Sequence, residues 1–402
     1  MEAVPLEIVT EIARELATIS DVRNLRLVSR AFAYAASPVL FYQVQAINTV
    51  ECLNKLSEYQ RRPFATVSTA RHLTLHHATW PQIESFGAWT THPQTLSLVN
   101  LSEQAKLQAY SSYRHFMYQE MGRTFDTDVS RLIGILGMLP NLTSLTLSHI
   151  HAWRWDKLKN DHYEELSQRI RVVPFFKALV EDLTSRLLPI LSRFPQITKL
   201  KIPGTLDIRG GEWVVKNESI MFLDVSNIVV RGYEHDEVQS FLRSFPNLQE
   251  LVLGTESGGQ ISEQRIALRS LQWPNLRRIH FRHLWTSEND LVDFVGRHQL
   301  QQLVLRNVTL FGGSWESFFN RVSSLPGRTL KSAVCITAGG AYMRLVEAAR
   351  SYSRWPSSNA CALKPRVYVM FGGDSQQSTN FPQACGLDDR HCGSNKDFWF
   401  TD

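Results

Sequence analysis

The 402-residue chain carries 43 Lys and Arg against 38 Asp and Glu, a formal net charge of +5, and 43% of its residues are hydrophobic. This composition excludes a chain that is disordered throughout. The small basic excess is not gathered in any Lys/Arg block, which argues against nucleic-acid binding.

Three further features predict the cellular compartment. No apolar run in the sequence approaches the roughly 18 to 20 residues that span a bilayer. Glu2, Glu7 and Glu11 occupy the amino terminus, where a secretion signal would carry positive charge. The five cysteines are odd in number and sparse, so they describe no disulfide framework. We therefore expect an intracellular protein, cytoplasmic or nuclear, that does not contact a membrane.

The first 45 residues form a helical unit of their own. A first helix is marked by a proline suited to its first turn and by apolar residues at intervals of four, which are Pro5, Ile8, Ile12 and Leu16. A second helix carries apolar residues at intervals of three and four, which are Leu25, Val28 and Phe32. A helical segment of about 40 residues buries too little surface to be stable alone, so we expect its apolar stripe to lie against a neighbouring domain or another chain.

This unit resembles an F-box. The resemblance rests on Pro5-x-Glu7-Ile8-x3-Ile12-x3-Leu16, on Leu25-Arg-Leu-Val-Ser-Arg30-x-Phe32 and on Pro38-x-Leu40-Phe41. Such segments occur in fungal F-box proteins, and the resemblance implies docking on a Skp1-type adaptor and, through it, on a cullin. It places the adaptor contacts on Pro5, Leu6, Ile8, Ile12, Leu16, Leu25, Val28 and Phe32. The alternative is a helical cap on the end of a repeat array.

Downstream, one short apolar pattern recurs. An apolar residue, two variable residues, a second apolar residue, a variable residue and a third apolar residue recur at 142–147, 197–202, 220–225, 248–253, 276–281 and 300–305, with weaker copies at 70–75 and 330–335. From 197 onward the first positions lie 23, 28, 28, 24 and 30 residues apart. These intervals are close to the roughly 20 to 29 residues that are typical of leucine-rich repeats.

Helical patterns lie between these strand signals, and five of the six end before a proline. They span 126–139, 175–194, 235–245, 263–273, 287–298 and 314–325. A strand, a loop and a helix repeated in this way bury their apolar edges only by stacking on their neighbours. We therefore predict an α/β fold, in which the N-terminal helical F-box is followed by a curved leucine-rich-repeat solenoid with parallel strands on the concave side and helices on the convex side.

The predicted domains are the helical unit at 1–45, the solenoid at 46–371 and an irregular C-terminal tail or cap at 372–402. The solenoid ends with a helix at 341–352 and a strand at 366–371. Two inserted segments, 102–125 and 151–173, are rich in Tyr, Trp and His. They either shape recognition or pad the rim of the array, and the sequence leaves both readings open.

The sequence predicts no catalytic residue, no cofactor and no metal site. Paired glycines at 258–259, 312–313 and 372–373 lack the lysine and the spacing of a phosphate-binding loop. Histidine and cysteine clusters at 149–151, 280–283 and 385–392 complete no common set of metal ligands. We therefore expect a non-catalytic protein.

Side chains alternate along a strand, so the residues beside the two buried template positions face the concave side. The charged residues on this face are five basic and two acidic: Lys199, Lys201, Arg278, Arg282, Arg306, Asp224 and Glu250. Guanidinium groups on neighbouring strands can fork onto carboxylate or phosphate. We expect an acidic or phosphorylated segment of a target protein to bind Lys199, Lys201, Arg278, His280, Arg282 and Arg306. The alternative is a solvated strand face.

Together these features predict a substrate-recognition subunit of an SCF-type ubiquitin ligase, which holds a target near the ligase and makes or breaks no bond itself. A leucine-rich-repeat scaffold that binds proteins without any ligase role is the alternative.

Overall fold

The structure is a computed structural model that describes residues 5–16, 19–58, 69–149, 161–175, 181–203, 206–207, 215–229, 235–255, 268–325, 330, 332–337 and 366–371. The chain divides into two compact units. Unit 1 comprises Met1–Asp207 and Asn217–Ile220, and unit 2 comprises Ile208–Lys216 and Met221–Asp402. Within the described ranges, no helix has the length and apolar character needed to cross a membrane. The helix predicted at 341–352 and the tail predicted at 372–402 lie outside the described residues.

Unit 1 begins with a three-helix segment, α1 (Leu6–Glu15), α2 (Ile19–Arg26) and α3 (Arg30–Leu40). The hydroxyl of Ser29 caps α3 by accepting a hydrogen bond from the backbone N–H of Phe32. The three helices enclose a small core of Ala13, Val22 and Ala36, which all have short side chains. Helices can approach closely around such residues, but the apolar area that they bury is modest.

The remainder of unit 1 alternates strands and helices: β1 (Gln43–Ile47), α4 (Val50–Glu58), β2 (His72–His77), α5 (Phe86–Thr91), α6 (Glu103–Met121), α7 (Phe125–Gly137), β3 (Ser144–His149), α8 (Asp161–Ile170), α9 (Glu181–Leu191), β4 (Lys199–Lys201) and β5 (Leu206–Asp207). Strands β1 to β4 pair in sequence order, and each pair is parallel. The sequence analysis missed strand β1, although residues 41–46 fit the repeat pattern and the register pairs Val44 and Ala46 with Leu73 and Leu75 of β2.

The two inserted segments of unit 1 pack against each other. They contribute α6 and α8, whose side chains join one apolar cluster with residues that follow β2. Its largest fully buried side chains are Trp89, Tyr113 and Tyr163. Arg123, just after α6, donates hydrogen bonds to the carbonyl of Asn48 at 2.7 Å and to the buried carboxylate of Asp128 at 2.8 Å. The first insertion is therefore tied to the end of β1 by a hydrogen-bonded ionic network.

Unit 2 continues the same alternation: β6 (Phe222–Val229), α10 (His235–Arg243), β7 (Glu250–Thr255), β8 (Arg278–Arg282), β9 (Trp285–Ser287), α11 (Glu288–Arg297), β10 (Gln302–Arg306), β11 (Thr309–Phe311), α12 (Trp315–Ser323), β12 (Ser332–Thr337) and β13 (Arg366–Phe371). Strands β6, β7, β8, β10 and β12 pair in that order and are parallel. The predicted strand at 366–371 forms as β13 but pairs antiparallel to β12. Short strands β9 and β11 form a separate parallel pair.

The repeat pattern explains where these strands begin. In β8, Leu276 lies two residues before the strand, Ile279 and Phe281 lie within it, and all three side chains are buried. His283 and Asn307 follow β8 and β10 with φ angles of 52° and 51°, so each strand ends at a left-handed residue. Ser287 and Ser314 then cap α11 and α12.

Two helix predictions are wrong. The second helix predicted through Leu25, Val28 and Phe32 is two helices, because α2 ends at Arg26 and Ser29 caps α3.

The other wrong prediction is the helix at 263–273. Residues 268–273, the described part of the predicted helix at 263–273, contain a single 3-10 turn at Leu268–Ser270. Trp273 interrupts a helix here because its backbone N–H donates to Nε2 of His298 and its indole N–H donates to the carbonyl of Phe245. The α/β class and the parallel strands are confirmed within each unit.

Candidate functional site

The first candidate surface is the outer face of α1, defined by Ile8 and Ile12, which are 52% and 44% exposed. Residues four apart share a helix face, so these two side chains form one continuous apolar strip. Val9 and Ala13 lie about a quarter turn round the helix and are buried, and Leu6 in the first turn is 39% exposed. Helix α1 therefore has one apolar face that packs on the core of the three-helix segment and a second apolar face that is exposed.

The eight predicted adaptor contacts fall into two groups. Pro5, Leu6, Ile8, Ile12 and Val28 are exposed, and Val28 is exposed by 66%. Leu16, Leu25 and Phe32 are half-buried, and the first two pack against the Ala13, Val22 and Ala36 core. Leu16 and Leu25 therefore hold the three-helix segment together from within.

A cavity of about 560 Å³ lies between the three-helix segment and the residues just before the strands of unit 1. Arg14 and Val39 line it from the helices, and Tyr42, Arg71 and Asn141 line it from the segments that precede β1, β2 and β3. The helices and the sheet are therefore not packed continuously at this junction.

The second candidate surface is the basic strand face of unit 2, defined by Arg278, His280 and Arg282 on β8 and Arg306 on β10. The parallel register pairs Arg282 with Arg306, which places the two arginines side by side on neighbouring strands. Ile279 and Phe281 are buried as the sequence predicts, but His280 between them is buried as well, so burial along β8 does not follow the predicted alternation.

Arg278 already has an anionic partner. The register pairs it with Glu250 on β7, and its Nη1 donates to Oε1 of Glu250 at 2.9 Å. About half of the Arg278 side chain is exposed, so this is a surface ion pair with a small net contribution to stability. An incoming anion at Arg278 would compete with Glu250.

His280 is buried rather than displayed. It lies in one row with Val252 and Val304 across β7, β8 and β10, and all three side chains are buried. Burial lowers the pKa of His280 to about 3, with further lowering by the charges of Arg282 and Arg306. The imidazole is therefore neutral at pH 7, and its Nε2 accepts a hydrogen bond from Nε of Arg282 at 3.2 Å.

Arg282 and Arg306 carry the positive charge of this face. Burial lowers the pKa of Arg282, the charge of Asp224 raises it, and the charge of Arg306 lowers it again, so that the net direction is downward. The pKa of His283 is lowered by burial and by the same two arginines. Within the described part of the chain, the guanidinium of Arg306 has no hydrogen bond and no ion pair.

Lys199 and Lys201 lie on β4 in unit 1, in the strand rows of Ser144 and Thr146. Burial lowers the pKa of His72 on β2, and the charges of both lysines lower it further. The structure assigns the six predicted substrate contacts to different units, with the two lysines in unit 1 and the other four in unit 2.

The sequence analysis missed two features of this face. It did not pair Glu250 with Arg278, although both residues precede the second apolar position of their repeat and so fall in one row. The sequence analysis also treated the row of His280 across β7, β8 and β10 as exposed. The hydrophobic Val252 and Val304 on either side of His280 were the available sign that this row is covered.

No group of three or more His, Cys, Asp or Glu side chains that could hold a metal ion occurs among the described residues. The predicted cluster at 385–392 lies outside them, as does His151. Compared with models of known protein families and with curated proteins, the sequence matches none of them.

Proposed function

We propose that the chain is the substrate-recognition subunit of a cullin-RING ubiquitin ligase of the SCF type. In this proposal residues 1–45 are an F-box that docks on a Skp1-type adaptor. Residues 46–371 are a curved leucine-rich-repeat solenoid whose strand face binds a target protein. The observation that carries the proposal is the outer face of α1, where Ile8 and Ile12 stand about half exposed although the same helix has a buried face of its own.

An exposed apolar strip of this kind gains free energy when a partner covers it. Full burial of one isoleucine side chain is worth about 1.5 to 3 kcal/mol. Ile8 and Ile12 lie one helical turn apart, so a single groove on a partner can cover both. Exposed Pro5 and Val28 add to the apolar surface of the same segment.

The cap alternative predicts a different arrangement of the same helices. A cap covers the open end of a repeat array with its apolar face. Here the outer face of α1 is exposed, and a cavity of about 560 Å³ separates parts of the helices from the starts of the strands. The three-helix segment also has a core of its own in Ala13, Val22 and Ala36. These features favour a docking module over a cap.

In this proposal the chain contributes geometry rather than chemistry. Holding a target and the ligase on one scaffold turns an encounter between separate molecules into an effectively intramolecular one. The binding of a target protein to the strand face is part of the same proposal.

Co-expression of the full chain with a Skp1-type adaptor tests it. We expect a monodisperse 1:1 complex on size-exclusion chromatography, and we expect the double variant Ile8→Asp with Ile12→Asp to lose that complex. Leu16 is a poor choice for this variant because its side chain packs against the internal core.

Leu107→Asp is the matched control, because Leu107 is 54% exposed on α6, outside the three-helix segment. It introduces the same change at an exposed apolar residue and should leave the complex intact. Absence of any complex at low and high salt would overturn the ligase role and leave the repeat scaffold as the function.

A further inference from the structure

Two arginines of unit 2 stand out because their positive charge is only partly offset by the residues around them. Arg282 ends β8, Arg306 ends β10, and the register pairs them directly. Neighbouring parallel strands are about 4.8 Å apart, so two like charges are held next to each other. Both residues are half-buried, which reduces the screening of their repulsion by water.

The surrounding residues fix the position of these side chains. Nε of Arg282 donates to buried, neutral His280 at 3.2 Å, so the guanidinium is oriented from within the sheet. The backbone N–H of His283 donates to the carbonyl of Arg306 at 2.9 Å, and the Thr255 hydroxyl donates to the carbonyl of His283. The ends of β7, β8 and β10 are thereby held together.

The local field at this place is positive. Asp224 offsets part of the charge of Arg282, yet burial and Arg306 still hold the pKa of Arg282 below its usual value. Burial lowers the pKa of His280 and His283, and the charges of the same two arginines lower it further. Arg278 is different, because Glu250 on the neighbouring strand already forms an ion pair with it.

We propose that Arg282 and Arg306 form a binding site for the phosphate group of a phosphorylated side chain on a target protein. This inference rests on the proposed function, since it names the chemistry of the target that the strand face receives. It also reduces the six substrate contacts predicted from the sequence to two, Arg282 and Arg306.

The number of donors favours a phosphate over a carboxylate. The two oxygens of a carboxylate are matched by the two parallel N–H groups of one guanidinium fork, whereas this site offers two such forks on neighbouring strands. A phosphate monoester has three terminal oxygens and carries about −1.5 to −2 charge at pH 7. It can therefore accept from both arginines at once.

Isothermal titration of the full chain with phosphoserine, inorganic phosphate and acetate tests the site. We expect both phosphate compounds to bind and acetate to bind at least tenfold more weakly. Arg282→Gln and Arg306→Gln should each weaken phosphate binding tenfold or more, because each removes charge-assisted hydrogen bonds. Arg278→Gln is the matched control on the same strand, and its affinity for phosphate should change less than twofold.

A measurement on the unaltered chain guards against misfolded variants. Phenylglyoxal modifies exposed arginines, and peptide mass spectrometry locates the modified residues. We expect inorganic phosphate to slow modification of Arg282 and Arg306 but not of Arg278. Equal protection of all three, phosphate binding that survives both substitutions, or acetate binding as tight as phosphate would each overturn the proposal.

Binding to the adaptor distinguishes a failure of the phosphate-site proposal from a failure of the proposed function. The variant with both Arg282→Gln and Arg306→Gln should still form the 1:1 complex with the adaptor, since the changes lie outside the three-helix segment. Loss of the adaptor complex in Ile8→Asp with Ile12→Asp should leave phosphate binding unchanged. Each experiment can therefore fail without the other.

Discussion

The three-helix segment and the strand repeats of unit 2 use similar apolar patterns with opposite outcomes. Ile279 and Phe281 on β8 are completely buried, whereas Ile8 and Ile12 on α1 are about half exposed. Strand β8 has β7 on one side and β10 on the other, so its apolar residues are covered on every side that the repeat provides. Among the described residues, helix α1 packs with α2 and α3 around a small internal core. The comparison teaches that periodicity identifies apolar residues, while the number of neighbouring elements decides whether they are buried.

The prediction with the largest expected effect, which tests whether β8 lies in the packed core, concerns Phe281. Its ring is fully buried and its centre lies 5.7 Å from that of Phe294. Phe281→Ala leaves a cavity, so we expect the free energy of unfolding to fall by about 3 to 5 kcal/mol. Chemical denaturation followed by circular dichroism measures this loss. A change no larger than that of an exposed residue would show that β8 lies outside the packed core.

A smaller effect is expected at His76, a polar residue that a repeat strand of unit 1 buries. Its ring meets that of Tyr163 edge-on at 5.6 Å, and burial lowers its pKa from 6.5 to about 4. The unfolded chain therefore takes up a proton near pH 6.5 and the folded chain only near pH 4. Stability is lost as the pH falls between these values, by about 2 kcal/mol from pH 7 to pH 5.

His76→Phe keeps an aromatic ring at this position and removes the titrating group. We expect this variant to lose about 2 kcal/mol less than the parent chain between pH 7 and pH 5. Urea denaturation at the two pH values measures the difference. Identical pH dependence in both chains would mean that His76 is as accessible to protons in the folded state as in the unfolded one.

The smallest effect is expected within α1, where two adjacent residues point in directions about 100° apart. Val9 is 1% exposed and Ile8 is 52% exposed. Val9→Ala removes two buried methyl groups and should cost about 1.5 kcal/mol, because each buried carbon is worth about 0.8 kcal/mol. Ile8→Ala should change stability by less than about 0.5 kcal/mol. Thermal denaturation of the pair measures both, and equal losses would show that Ile8 is packed inside the chain.

The repeat pattern predicted most of the strands because it encodes both spacing and direction. Leu145 and Leu147 on β3, and Leu303 and Leu305 on β10, are buried at the second and third template positions as expected. Strand β1 fits the same pattern at 41–46 and was overlooked, and its register with β2 joins residues 29 positions apart. The prediction of a helix at 263–273 is wrong in its described part, where the backbone N–H of Trp273 donates to Nε2 of His298.

The candidate sites were predicted only as sets of residues. The sequence identified eight apolar residues in the first helices, and packing then divided them, with Ile8 outside and Leu16 turned toward the core. It identified six basic residues on strands, and neighbouring strands then gave Arg278 an anionic partner and buried His280. Such divisions depend on residues about 28 positions apart, which strand alternation cannot reveal.

By itself, the sequence determined the α/β class, the cycle of strand and helix, and the alternation that puts basic side chains on one face of β8 and β10. These properties are local, since they follow from the period of two residues in a strand and from helix start and stop signals. Only the tertiary structure decided which apolar residues of α1 stay exposed and which arginine of the strand face forms an ion pair. Exposure and charge balance depend on atoms brought together by strand pairing and helix packing, and local periodicity carries no record of those contacts.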